Sequence, residues 1–186
     1  MRWTDMEYSV GILELKSIAK GVQAADEALK SAGIRLISAQ PICPGKYELI
    51  FTGELAQVQA SMDKIRSRYT SYLVDSVLLG RIDPSVVKAL FGAQPEAEEG
   101  AVGVIETFSI ASSVLAADSA VKAASVQILE LRTARGIGGK GVVFLTGEIA
   151  DVAAAVEAGS KYAKEQGVFV GSTVIGSPHR ELWNYL

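Results

Sequence analysis

Apolar residues in this chain fall into two kinds of run. Residues 8–15, 35–42, 46–52 and 73–79 are short runs rich in Val, Ile and Leu. Runs of that length, bounded by Gly, Pro and polar clusters, predict strands. Over 20–32 the apolar positions Val22, Ala25, Ala28, Leu29 and Ala32 recur near helical spacing, which predicts a helix ended by Gly33. Over 54–69 the positions Leu55, Val58, Met62, Ile65 and Tyr69 alternate in threes and fours on one helix face. Gln57, Asp63, Lys64 and Arg68 take the other. Pro44-Gly45 marks the turn joining the second and third strands, and Pro84 suits the first turn of a short helix reaching Phe91.

The same order is then written again. Val10-Gly11-Ile12-Leu13-Glu14 matches Val102-Gly103-Val104-Ile105-Glu106 at an offset of 92 residues. Asp26, Ala28, Lys30 and Ala32 match Asp118, Ala120, Lys122 and Ala124 in the same register. Beyond the hairpin loop the offset becomes 94: Gly45-Lys46 meets Gly139-Lys140, Thr52-Gly53-Glu54 meets Thr146-Gly147-Glu148, and Pro84 meets Pro178. The second long helix carries Ile149, Val152, Val156, Gly159 and Ala163 on one face. A self-match of this length is a tandem duplication of a small domain rather than a solenoid repeat. The acidic stretch 93–100, with Pro95 and Gly100 and no large apolar residue, reads as a solvated linker. The expected division is therefore domain 7–93, linker 94–100 and domain 101–186.

Hairpin-linked strands imply antiparallel pairing, and the interleaved helices imply a sheet covered on one face. The expected fold is α/β of the α+β type: two four-stranded antiparallel sheets, each with helices packed on it. Units of this size are marginal alone, so burial between copies or chains is expected.

Composition narrows the function. The 186 residues are 49% hydrophobic with a net charge of -3, and basic residues are scattered singly. No field strong enough to mark a nucleic-acid partner follows. Apolar runs are too short for a membrane helix, and the polar N-terminal stretch has no secretory h-region. One cysteine, Cys43, rules out an internal disulfide and suits a reducing cytosol.

Several chemical signals carry little. Gly136-Ile137-Gly138-Gly139-Lys140-Gly141 formally matches G-x-G-x-x-G, but strand rather than helix follows it, and Gly141 stands where a P-loop needs Ser or Thr. Glu14 and Glu106 could be paired as acid and base, yet duplication alone predicts the pairing. His179 is the only histidine and lies far in sequence from Cys43, so no catalytic constellation forms and no enzyme is expected.

The motifs Gly11-Ile12-Leu13-Glu14-Leu15, Ser17-Ile18-Ala19-Lys20-Gly21, Ile42-Cys43-Pro44-Gly45-Lys46, Gly136-Ile137-Gly138-Gly139-Lys140 and Pro178-His179 resemble the bacterial microcompartment (BMC) shell domain. The resemblance covers nearly the whole chain, twice. It is strongest to the tandem-domain trimeric class, in particular to the iron–sulfur-bearing subtype of propanediol-utilisation microcompartments. It implies a structural tile of a cytoplasmic protein shell, a homotrimer of pseudohexameric outline, and contacts with other shell proteins. It also implies a central pore lined by Ile42, Pro44, Gly45, Gly136, Ile137 and Gly138, and tile-edge contacts through Lys30 and Lys122. In the cluster-bearing subtype the loop cysteine holds one 4Fe–4S cluster per trimer, for which Cys43 is the matching residue, with a lumen redox enzyme or an external electron carrier as further partner. One departure is clear: Asp83 and Ser177 precede Pro84 and Pro178, where many members place an arginine, and Arg81 and Arg180 lie only nearby.

A lone cysteine is most often an inert thiol. Its setting here is a turn, read as type II with Cys43 first, Pro44-Gly45 central and Lys46 last. A threefold axis would present Cys43 three times, because the second loop has Arg135 or Gly136 in its place. Three thiolates match three irons of a cubane, with Lys46 available to offset its charge. Three thiolates and a water also resemble an open zinc site. A pore tile conducting a small polar metabolite with Cys43 idle, or a soluble ligand-binding regulatory module, are the other readings.

Overall fold

The computed structural model describes residues 9–92, 99–133 and 136–186. Tyr8, most of the predicted linker (94–98) and Arg135 lie outside the described residues. The chain divides into two compact units, Met1–Ile82 and Asp83–Leu186.

In the first unit β1 (Ser9–Leu15), α1 (Ile18–Ser31), β2 (Arg35–Ile42), β3 (Lys46–Gly53), α2 (Leu55–Arg68) and β4 (Leu73–Leu79) follow one another, with a 3-10 turn at Thr70–Tyr72. The sheet order is β2-β3-β1-β4, and every pairing is antiparallel. The core gathers Leu13, Leu49 and Phe51 from the sheet with Ala24 and Ala28 of α1 and Met62 of α2. Helix α1 begins two residues before its expected start because Ser17 caps it: the Ser17 hydroxyl accepts from the Lys20 N–H at 3.3 Å. It ends at Ala32 in extended backbone, and Gly33 does not take the left-handed conformation expected of it.

The inward face of α1 is also not the one its largest residues mark. Gly21, Ala24, Ala25 and Ala28 are buried, while Val22 is 54% and Leu29 45% exposed. Leu55 and Ile149, at the starts of the two long helices, are exposed as well.

The second unit opens with α3 (Pro84–Leu90), capped by Asp83, whose carboxylate accepts from the Ser85 N–H at 2.8 Å. Then come β5 (Ala101–Thr107), α4 (Ile110–Ala123), β6 (Val126–Thr133), β7 (Gly141–Gly147), α5 (Ile149–Glu165) and β8 (Phe169–Ile175), with a 3-10 segment at Arg180–Tyr185. The sheet order β6-β7-β5-β8 repeats that of the first unit. Helix α3, attached to the first copy by the sequence reading, packs on β6 and α4. The Asp83 N–H donates to the Asp118 carboxylate of α4 at 2.8 Å.

One contact shows how the two copies diverged without losing the fold. A Cβ on Gly21 would lie 2.2 Å from Cγ of Tyr47, so only glycine lets that ring pack on α1. The equivalent pair in the second unit is Ser113 and Gly141. A Cβ on Gly141 would lie 2.2 Å from the Ser113 Oγ. Small meets large in both units, with the roles exchanged.

Candidate functional site

The hairpin tip that holds the cysteine is three residues long. Ile42 and Lys46 are register partners, which leaves Cys43, Pro44 and Gly45 between the strands. The Gly45 N–H donates to the Ile42 carbonyl at 2.9 Å. The Cys43–Pro44 peptide is cis, and Gly45 has φ +91. The turn therefore begins at Ile42 and centres on Cys43-Pro44, the type VI arrangement. This corrects the expected type II turn with Cys43 at its first position. The ladder stays paired as far as Ile42 and Lys46, so the closing bond starts one residue earlier. The Cys43 thiol is exposed. Pro44 and Gly45 are exposed as well. Ile42, expected beside them on a pore surface, is instead buried at 6% exposure.

The duplicate tip between β6 and β7 has a different character. Gly136, Gly138 and Gly139 have φ of 74, 66 and 83, a region open to glycine and strained for other residues. The Lys140 N–H reaches the Ile137 carbonyl at 3.3 Å. Gly136 and Gly138 are exposed and Ile137 is half-buried. From 136 to 139 this loop offers backbone and one aliphatic side chain, with no thiol, imidazole or carboxylate.

Both loops are anchored by an ion pair at their C-terminal lysine. Lys46 Nζ lies 2.5 Å from Glu14 Oε2, and Lys140 Nζ lies 2.7 Å from Glu106 Oε1. The Glu14 side chain is fully buried, whereas that of Glu106 is 33% exposed. A buried carboxylate needs a compensating partner, and lysine supplies it here. The structural reading of Glu14 and Glu106 stands on these bonds. The Lys46 ammonium, which the sequence reading assigned to offsetting a cluster, is bound to Glu14.

Sequence reasoning passed over Glu48. It is the register partner of Glu14 and is 2% exposed. Its Oε1 accepts from Ser38 Oγ at 2.5 Å and from Gln40 Nε2 at 3.1 Å, while Oε2 has no hydrogen-bond partner among the described residues. The available signal was its alternation with Lys46 and Ile50 on one strand face. Among the described residues no group of three His, Cys, Asp or Glu side chains is placed to hold a metal ion.

Each tile-edge lysine pairs with an aspartate one turn earlier on its own helix. Lys30 meets Asp26 at 2.6 Å, both exposed. Lys122 meets Asp118 at 2.5 Å, with Asp118 buried. His179 is exposed, and its Nδ1 accepts from the Glu181 N–H at 3.2 Å to cap the last 3-10 segment. No helix among the described residues is long and apolar enough to cross a membrane.

The sequence profile of the BMC domain matches twice, over residues 9–82 and 101–178. The chain belongs to the BMC-domain family. It is 41% identical over 181 residues to the bacterial microcompartment shell protein PduT of Citrobacter freundii, spanning 97% of this chain and 98% of that one. It is 26% identical to the carboxysome assembly protein CcmO of Synechococcus elongatus, over 96% of this chain and 68% of the other. Among solved structures, a microcompartment protein from Desulfitobacterium hafniense superposes with a TM-score of 0.83 at 43% identity, covering 95% of this chain and 98% of that one. The protein is thus a tandem-domain microcompartment shell subunit, and the repeated sheet order of its two units is the BMC fold written twice.

Proposed function

We propose that this shell subunit is non-enzymatic and assembles as a homotrimer in which three Cys43 thiolates on the threefold axis hold one 4Fe–4S cluster. The observation that carries the reading is the exposed Cys43 thiol at a three-residue hairpin tip, where the duplicate loop from 136 to 139 has only glycine and Ile137. One chain offers one thiolate, and such a cluster is held by several. The donor set therefore fits only when copies of the chain share an axis. Bound there, the cluster would supply one-electron transfer across the shell, between a lumen redox enzyme and an external carrier. Pro44 and Gly45 hold the thiol outward on a short, closed turn. The 136–139 loop adds no ligand and leaves the aperture lined by backbone and Ile137. Lys30, exposed on α1, is the better placed of the two lysines to meet other shell proteins.

Anaerobic purification with iron and sulfide analysis and EPR tests this. The expected product is a brown trimer that loses iron and colour on Cys43→Ser while staying trimeric. Iron-free protein after anaerobic reconstitution sinks the cluster and leaves a metabolite-conducting tile.

A further inference from the structure

Duplication makes the second unit an internal control for the first, and one patch of sheet fails to match. In the first unit Leu13, Leu49 and Phe51 belong to the core under the helices. By strand alternation Glu14 and Glu48 lie on the opposite face. Glu48 is the register partner of Glu14 on β1 and of Gln40 on β2, so its carboxylate is central to the patch. It is 2% exposed, and Glu14 is fully buried. Lys46 pairs with Glu14, and Ser38 and Gln40 are neutral. Among these five side chains the carboxylates outnumber the ammonium by one charge.

The matching patch of the second unit is balanced. Glu106, Lys140, Glu130, Arg132 and Val142 stand where the first unit has Glu14, Lys46, Ser38, Gln40 and Glu48. Glu106 pairs with Lys140 and Glu130 with Arg132, each at 2.7 Å. The first unit thus carries a carboxylate where its counterpart has valine, and a neutral amide where its counterpart has a guanidinium. Ser38 and Gln40 hold Oε1 of Glu48. Its Oε2 is buried and has no hydrogen-bond partner among the described residues. A charge taken out of water is stable only when it is paired or holds a cation.

We infer that Glu48 Oε2 binds a monovalent alkali cation, sodium or potassium. The Glu14 carboxylate opposite and the Ser38 hydroxyl beside it supply further oxygen donors. Carboxylate and hydroxyl oxygens suit a hard cation and offer nothing to a thiophilic one. The excess of one negative charge selects a single positive one, since a divalent ion would reverse the imbalance in a buried place. The Gln40–Glu48 pair lies two register steps below Ile42–Lys46, where the ladder of the cysteine hairpin ends. A cation there ties β2 to β3 beneath the tip. The site needs neither the cluster nor the trimer.

The test measures thermal unfolding midpoints of the full-length protein in sodium, potassium or rubidium chloride, with tetramethylammonium chloride making up a constant ionic strength. Tetramethylammonium is too large and too poor a ligand acceptor to enter. At least one alkali ion should raise the native midpoint by about 3 °C between roughly 10 and 100 mM. Glu48→Gln removes the charge and should abolish that dependence. Gln40→Arg restores the guanidinium of the second unit and should abolish it too, while raising the midpoint in tetramethylammonium alone. The second variant decides the matter if the first fails to fold. A native midpoint indifferent to all three alkali ions overturns the inference, and so does a dependence that survives in either folded variant.

Discussion

Two positions separate residues that hold a shape from residues that hold a charge. Gly21 is required by the ring of Tyr47 packed against it, so Gly21→Ala should destabilise the protein by about 1–3 kcal/mol, the usual range for overpacking. Denaturant unfolding measures this. Tyr47→Gly should cost less in the Gly21→Ala background than in the native one, because the ring it removes is the one the new Cβ strikes; additive losses would show the two sites uncoupled. The lysine pairs make a charge comparison within one molecule. Lys46→Ala strips a partner from a fully buried carboxylate and should cost about 3 kcal/mol. Lys140→Ala acts on the one-third-exposed Glu106 and should cost roughly 0–1 kcal/mol. Equal losses in the two variants would refute the burial argument. None of this was legible beforehand: the sequence equates Glu14 with Glu106, and only burial tells them apart.

At the level of elements, the tie between α1 and the end of α2 is sensitive to alkali. The Tyr69 hydroxyl donates to Glu27 Oε1 at 2.8 Å. Burial first, and then the bond and negative charge of Glu27, push the phenol pKa up to about 12. A raised pKa in the folded state means that the neutral phenol stabilises the fold fully below the ordinary value near 10. That stability is lost as pH rises through about 12. Denaturant midpoints should therefore fall between pH 10 and 12 in the native sequence and fall less in Tyr69→Phe; parallel curves would exclude Tyr69 as the cause. The sequence showed well where these elements lie and how they pair, since strand alternation and the Pro-Gly and Gly-rich turns are local signals. It showed less well which face of α1 points inward. The stripe through Val22 and Leu29 has helical spacing, but the core is filled from Gly21, Ala24 and Ala28, where small residues let helix and sheet approach. Periodicity identifies a helix, and a large apolar residue on it can serve an outer contact as readily as an inner one. The cysteine turn was misassigned by one residue for a related reason, because the hydrogen bond that closes it depends on how far the ladder of β2 and β3 runs.

For the whole molecule, the duplication is readable from the first strand to the last proline, and it implies the two-sheet architecture. The place of α3 was not readable. A helix that follows β4 in sequence carries the packing of the second unit, because its partners on β6 and α4 are distant in sequence. The cluster reading makes its clearest prediction at this scale: about four irons for every three chains when the trimer is loaded. Iron analysis on the sized, anaerobically purified species checks it, and an iron content that does not track Cys43 would disprove it.

The exchange of bulk between Gly21–Tyr47 and Ser113–Gly141 has a consequence for how such a gene can change. Two similar halves in one reading frame invite recombination between them. A crossover falling between the helix position and the strand position would put serine against tyrosine, which collides, or glycine against glycine, which leaves a hole. Either product should be less stable than the parent pairing, so a single exchange point in this stretch carries a folding cost. The cysteine codon lies inside that same interval. A packing detail deep in each unit thus ties the cysteine loop to the helix of its own half wherever a single exchange point would part them.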